Sequence, residues 1–298
     1  MKEFIIKTIK FGIVPAIFYV LFCLFAVPKL LEVKMGPNIQ QQLQFSFQKA
    51  KEREYKQLVL GNSRMFCGVN PDLFSTKTFN FSHNNDSYNQ LYYKLLYVEK
   101  QGKKVNSVVL GVDYFQFGIF SDTRNYVYGD FLGTDYLKDY KPKNYKLWYY
   151  VDLLHPSKIR KLIFDDKEKH GLKENGQYIR LGTPEKEGFE KREFKIDERQ
   201  LMYFNKILQY CKEKSITVYL AMPPLRDVEY KLYTKNELEQ FDEIIQNAVD
   251  NKTVFYFDFS RSPDYNVNDF IDFTHLNQIA ADRFSKAVNE QINQTKNK

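Results

Sequence analysis

Residues 57–64 read Gln-Leu-Val-Leu-Gly-Asn-Ser-Arg: a short apolar run, then a glycine, then polar side chains. Four apolar-rich residues cut off by Gly61 predict a strand over Gln57–Leu60 that runs straight into a turn and a helix start. The second decisive stretch is Ser107–Val112, SVVLGV, whose unbroken apolar character predicts a strand covered on both faces. Thr78–Phe81, Ile216–Ala221 and Val254–Phe259 predict three more strands. Between them, Leu91, Leu95, Leu96 and Val98 recur at helical spacing within Ser87–Lys100. Further helices are predicted over Arg199–Lys214, Glu237–Val249 and Gln278–Ile292. Strands alternating with helices imply parallel pairing, hence an α/β fold with helices on both faces of a sheet.

The interval 120–195 breaks the alternation. It is rich in Tyr, Lys, Gly and Asp, holds the only tryptophan, Trp148, and is too long for a simple connection. It reads as an insertion over the carboxyl edge of the sheet, where open α/β folds bind ligands. Its aromatic residues Tyr126, Tyr128, Trp148, Tyr149 and Tyr150 suit either stacking on sugar rings or packing as a cover. Residues 35–55 are polar and predict a stalk or a short lead-in helix. The division expected is an anchor over 1–34, this lead-in over 35–55, and one α/β domain over 56–298.

The first residues place that domain. Phe11 to Pro28, FGIVPAIFYVLFCLFAVP, carry no charge and, with flanking apolar residues, approach the ~20 residues that span hydrocarbon. Lys2, Lys7 and Lys10 precede the run, so the positive-inside rule leaves the amino terminus in the cytoplasm and the remainder extracytoplasmic. A cleaved signal peptide shares the basic start, but no small-x-small cleavage site follows. A core helix would show one polar face, and this run is apolar all round. The expectation is a single-pass anchor in the cell membrane. One such run excludes a multi-span transporter. With Cys23 in the span, Cys67 and Cys211 remain in an oxidising space, either paired or buried and inert.

The 298 residues carry 43% apolar and 27% charged side chains, an ordinary globular balance that excludes wholesale disorder. Of the net +7, residues 1–34 supply +3, from five lysines against two glutamates. The rest is spread thinly, unlike the clustered basic stripe of a nucleic-acid binder. Three cysteines make no disulfide framework, and no CxxC or Cys/His cluster offers a metal site.

Ser63 follows the first strand in a Gly-containing turn that enters a helix, where backbone N–H groups face developing negative charge. An ordinary helix cap would also place a serine there. A serine nucleophile needs an imidazole base, and the imidazole needs a carboxylate to set its tautomer. Asp272-Phe273-Thr274-His275 follows the last strand, and D-x-x-H spacing lets Asp272 receive the Nδ1 proton of His275 within one turn. His83 lies in a polar turn and is a weaker base; His155 and His170 fall in the insertion and read as surface residues.

Gly61-Asn62-Ser63, the turn Asn80–Ser87, Gly111-Val112-Asp113 and Asp272-x-x-His275 stand in the order of the SGNH (GDSL-like) hydrolase blocks. The chain resembles that family over about residues 56–290 outside the insertion. With its anchor and Pro223-Pro224, it resembles most the membrane-tethered members, polysaccharide O-acetyltransferase accessory proteins and the D-alanyl-transfer protein of teichoic acid operons. The resemblance implies a three-layer α/β/α flavodoxin-like sandwich, acyl-ester chemistry and no cofactor, with Ser63 as nucleophile, His275 as base and Asp272 orienting it.

Two positions depart from the blocks. Asn85 stands where a glycine normally lends its N–H to the oxyanion hole, and Asn tolerates positive φ better than most residues. Asp113 replaces an asparagine donor, and an ionised carboxylate there repels an oxyanion. Asn84, Asn85 or His83 are the substitutes expected from the neighbouring turn. The expected activity is acyl transfer to, or ester hydrolysis on, a cell-envelope polysaccharide; by family analogy alone, the resemblance implies a multi-span membrane-bound O-acyltransferase as the exporter of the acyl group to this domain. The alternative is a non-catalytic partner that keeps the fold and binds the polymer or that membrane enzyme.

Overall fold

A computed structural model describes residues 1–118, 124–140, 145–164, 171–180 and 195–296. Five strands, β1 (Gln57–Leu60), β2 (Thr78–Asn80), β3 (Ser107–Gly111), β4 (Thr217–Met222) and β5 (Val254–Asp258), form one sheet in the order β2-β1-β3-β4-β5. Every pair is parallel, with Val59 beside Val109, Val109 beside Tyr219 and Tyr219 beside Phe255.

The helices follow in chain order. α1 (Lys2–Leu21) continues through a wider turn, Phe22–Ala26, into α2 (Val27–Met35), and α3 (Ile39–Glu52) leads into β1. α4 (Ser63–Gly68) and α5 (Tyr88–Lys100) lie between β1 and β3. Between β3 and β4 come α6 (Asn125–Leu132), α7 (Thr134–Leu137), α8 (Tyr145–Leu153), α9 (Pro156–Phe164) and α10 (Glu198–Glu213). α11 (Asp227–Tyr230) and α12 (Lys235–Ala248) precede β5, and α13 (Gln278–Lys296) closes the chain.

Strand alternation sorts the core into two layers. Leu58, Leu60, Val108, Leu110, Val218 and Leu220 face a cluster built with Phe47 of α3, Leu91 of α5, Phe204 of α10 and Phe241 of α12. Val59, Val109, Tyr219 and Ala221 face the other way, onto Met65 of α4 and Ala280, Phe284 and Val288 of α13. The expected α/β/α sandwich is what forms. Ser107–Gly111 is buried throughout, as its unbroken apolar run requires.

The strand order reverses between β1 and β3, which opens a crevice at their carboxyl ends. Among the described residues of the insertion, one segment lies at that edge and the helices lie elsewhere. α6 and α7 pack on α5, and α8 and α9 lie along the N-terminal helix. The segment 171–180 reaches the crevice. Tyr128 is buried in the core, through a hydrogen bond to Asp86, rather than open to a ligand. The side chains of Tyr126, Trp148 and Tyr149, and the whole of His170, lie outside the described residues. Lys10–Lys34 is long and apolar enough to cross a membrane. Cys23, Cys67 and Cys211 are free and buried, and burial pushes the Cys67 and Cys211 thiols up to about 12.

Candidate functional site

A glycine follows β1 (Gly61) and another ends β3 (Gly111) because α4 leaves no room for more. A Cβ on Gly61 would stand 2.4 Å from the Met65 Cγ, and one on Gly111 2.3 Å from the same atom. Met65 thus plugs into both strand ends and draws the start of α4 onto the crevice. Asn62 caps α4, its Oδ1 accepting from the Arg64 N–H at 2.9 Å. Ser63 is therefore the first residue of a helix whose entry is fixed on both sides. Below it, Asn80 Nδ2 donates to the carbonyls of Met65 (2.8 Å) and Val69 (3.0 Å), closing the far end of α4.

The Asp272–His275 turn is also built locally. A bridge between Phe270 and Leu276, and the His275 carbonyl accepting from the Ile271 N–H at 2.9 Å, pinch the chain into a narrow loop. Asp272 Oδ1 accepts from the backbone N–H of Thr274 and of His275, each at 2.9 Å. Both carboxylate oxygens lie 2.9 Å from His275 Nδ1. A carboxylate there holds the proton on Nδ1 and leaves Nε2 as the basic nitrogen. Nε2 is buried and has no hydrogen-bond partner among the described residues.

Ser63, His275, Asn84, Asn85, Arg64, Phe115, Thr274, Arg180 and Ile39 line one cavity of about 300 Å³. The turn carrying Asn84 and Asn85 is held by the Ser82 N–H on Asn80 Oδ1 (3.1 Å) and the Asp86 N–H on the His83 carbonyl (3.2 Å). Asn85 has φ +54°, the left-handed conformation that a glycine would otherwise supply. A larger hollow of about 470 Å³ lies at the opposite edge, where Asn106 and Ile216 lead into β3 and β4. No histidine lines it.

Asp113 and His83 are set back from the cavity. Asp113 accepts from Asn62 Nδ2 (2.8 Å) and from the N–H groups of Phe115 (3.2 Å) and Gln116 (3.0 Å), with Arg64 Nε 3.8 Å away. The carboxylate braces the Ser63 turn from behind, and burial raises its pKa against the pull of Arg64. His83 accepts from Arg124 Nη1 at 2.7 Å and stacks on Phe66, so it belongs to the packing beneath the turn. Burial, then Arg124 and Lys94, hold its pKa well below the usual imidazole range.

Burial also lowers the His275 pKa, opposed by Asp272 and assisted by Arg180 and Arg64, so the ring is neutral at neutral pH. Burial works to raise Asp272, but the hydrogen bond and charge of His275, the Thr274 N–H and Arg180 outweigh it, and the carboxyl stays below its ordinary value.

Arg64 and Arg180 escaped the sequence reading. Arg64 pairs with Glu229 and lies over the Phe115 ring. Arg180 arrives on a hairpin whose Leu172 and Tyr178 pair, and the hairpin is pinned by the Asn80 N–H on the Asn175 carbonyl (3.0 Å) and the Tyr178 N–H on the Phe66 carbonyl (3.0 Å). The available signal was Asn175-Gly176, a turn dipeptide in an otherwise patternless stretch. Arg180 Nε lies 3.0 Å from Asp272 Oδ2.

Among solved structures, the chain is similar to a protein described as an acylhydrolase from Bacteroides fragilis NCTC 9343. The identity is 11% and the TM-score 0.44, over 87% of this chain and 99% of that one. It is also similar to a GDSL-like lipase from Bacteroides thetaiotaomicron VPI-5482, at 9% identity and TM-score 0.41, over 87% of this chain and 100% of that one. No curated protein matches it. A family model that carries no functional description matches residues 133–297, more than half of the chain, and the chain belongs to that family.

Proposed function

We propose that this chain is a membrane-tethered serine acyl-transfer enzyme of SGNH type that acts outside the cytoplasm on a cell-envelope polysaccharide. One observation carries the reading: His275, whose Nε2 has no hydrogen-bond partner among the described residues and whose ring is oriented by Asp272, borders the cavity that Ser63 also lines. In this reaction Ser63 Oγ attacks the acyl carbonyl while His275 Nε2 takes the hydroxyl proton. The backbone N–H groups of Ser63 and Asn85 hold the tetrahedral oxyanion. Collapse expels the first alcohol, which takes the proton from His275, and leaves an acyl-serine. A sugar hydroxyl or water then attacks the acyl-serine, giving its proton to His275, and Ser63 is released as its hydroxyl. The order of the sequence blocks supports the family. The apolar Lys10–Lys34 helix supports the tether, and the lysines before it support the outward orientation. A membrane-bound O-acyltransferase that passes the acyl group to Ser63 fits this arrangement.

Hydrolysis of an aryl acetate, wild type against Ser63→Ala, tests the reading. Loss of at least ~10³-fold in kcat is expected when a triad nucleophile is removed. Equal rates above background remove Ser63 from the chemistry.

The second reading is a non-catalytic partner that binds polymer or the membrane enzyme. The position of Asp113 favours it, because a carboxylate spent on bracing Asn62 gives the oxyanion no side-chain donor from β3. Normal polymer acylation in cells carrying Ser63→Ala, with loss in a deletion strain, would select this reading.

A further inference from the structure

Two helices of the insertion run beside the apolar N-terminal helix. The Tyr19 hydroxyl donates to the Leu154 carbonyl at 2.8 Å, in the turn between α8 and α9. Lys34 Nζ donates to the Leu162 carbonyl at 2.8 Å, in the last turn of α9. These two bonds lay the hairpin along the helix from residue 19 to residue 34.

The charge-free run 11–28 is about 27 Å long at ~1.5 Å per residue, close to the ~30 Å thickness of a hydrocarbon core. Tyr19 stands at its midpoint. A carbonyl that accepts from Tyr19 lies near the same depth. We propose that the α8–α9 hairpin is immersed in the bilayer, in the leaflet on the folded domain's side, with lipid acyl chains covering its outer face. The proposal rests on the tether assigned under Proposed function.

The backbone of the turn meets the demand that hydrocarbon makes, which is that no polar group be left for water. The N–H groups of Leu154 and His155 bond to the carbonyls of Val151 and Asp152, each at 3.1 Å. The Ser157 N–H bonds to His155 Nδ1 at 3.2 Å, and the Lys158 N–H to the His155 carbonyl at 3.0 Å. The remaining residue, Pro156, has no N–H. Every backbone donor from 154 to 158 is thus absent or satisfied within the turn. Leu154 and Leu162 both hold carbonyls of helix ends, the groups a helix cannot satisfy itself, and both are bonded by side chains of the spanning helix.

The side chains agree. Leu147, Tyr150, Val151, Ile163 and Phe164 are 46–74% exposed, apolar area costly to leave in water, interleaved with the exposed polar side chains of His155, Ser157, Arg160 and Lys161. The opposite charges flanking the tip, Asp152 and Lys158, pair at 2.7 Å, as ions at membrane depth do. Arg160 and Lys161 have stems long enough to bring their charges to the headgroups.

Trp148, the sole tryptophan, sits on α8 and reports on the hairpin without mutation. The full-length chain is reconstituted in phosphatidylcholine vesicles whose acyl chains are brominated at mid-chain, and its emission is compared with that in unbrominated vesicles. Loss of most of the Trp148 emission is expected. A Trp148→Phe, Phe18→Trp variant moves the reporter into the spanning helix and is expected to be quenched as well. Quenching of the variant with none at Trp148 overturns the immersed hairpin and leaves the tether standing. Absence of quenching in both overturns the tether and the hairpin with it.

Discussion

Arg180 Nε stands 3.0 Å from Asp272 Oδ2, and Arg180 Nη1 stands 3.1 Å from His275 Nδ1, so one guanidinium from the insertion spans the carboxylate and the ring it orients. This places a positive charge beside the imidazole, on the wall of the cavity that His275 also lines. Under the proposed function Arg180 acts as a positioning residue for the pair.

Arg180→Gln therefore moves the acid side of the pH–rate profile. Under the proposed function His275 accepts a proton only when Nε2 is unprotonated, and the Arg180 charge helps hold its pKa below 6.5. Without that charge the pKa rises, and the acid limb of kcat/KM shifts to higher pH. An Arg180→Lys variant keeps the charge and restores most of the shift. A limb that stays in place in Arg180→Gln refutes the role.

Asp272→Asn keeps the size of the side chain but turns an acceptor-only group into one that also donates. The His275 ring then takes the tautomer with its proton on Nε2, which cannot accept from Ser63. A loss of about 10⁴-fold in kcat on an aryl acetate is expected, with KM little changed. An unchanged kcat would show that another group orients the ring.

Gly176→Ala tests whether the hairpin delivers Arg180. Gly176 has φ +89°, and an added Cβ would fall 1.9 Å from the Asn80 carbonyl oxygen. Backbone must shift to admit it, which costs about 1–3 kcal/mol. Thermal melting should fall by several degrees, and the acid limb should move in the same direction as in Arg180→Gln. Melting unchanged from wild type would contradict the clash.

His83→Gln changes how stability depends on pH. His83 is fully buried and its folded pKa is well below 6.5, so under acid the unfolded chain binds a proton that the folded chain refuses. Stability is then fully present above pH ~6.5 and is lost as pH falls towards the folded pKa, at up to ~1.4 kcal/mol per pH unit. Urea unfolding between pH 6.5 and 5 should show a shallower slope in the variant, whatever its absolute stability. Parallel slopes would contradict the assignment.

The five strands were legible because each is a short apolar run cut by a turn residue, and because parallel strands buried on both faces need no polar alternation. Ser63, Asp272 and His275 were singled out because each follows a strand end, where this topology gathers side chains; Ser63 and His275 line one cavity and Asp272 bonds to His275. Arg180 was not. It belongs to a stretch without period, and its place follows from Asn80 and Phe66 holding the hairpin, contacts that no local pattern encodes. Asp113 was read at the oxyanion because the resemblance puts a donor at that block, and His83 as a substitute donor from the neighbouring turn. Their side chains turn inward instead, to Asn62 and to Arg124. The lie of α8 and α9 along the N-terminal helix was equally invisible, since hydrogen bonds 128 and 135 residues apart create it.

Ile39, in the wall of the cavity, is five residues beyond Lys34, a lead of at most ~17 Å even when fully stretched. Under the proposed function, so short a leash confines the cavity to a thin shell over the lipid headgroups, and a polymer substrate comes within reach only as it passes through that shell.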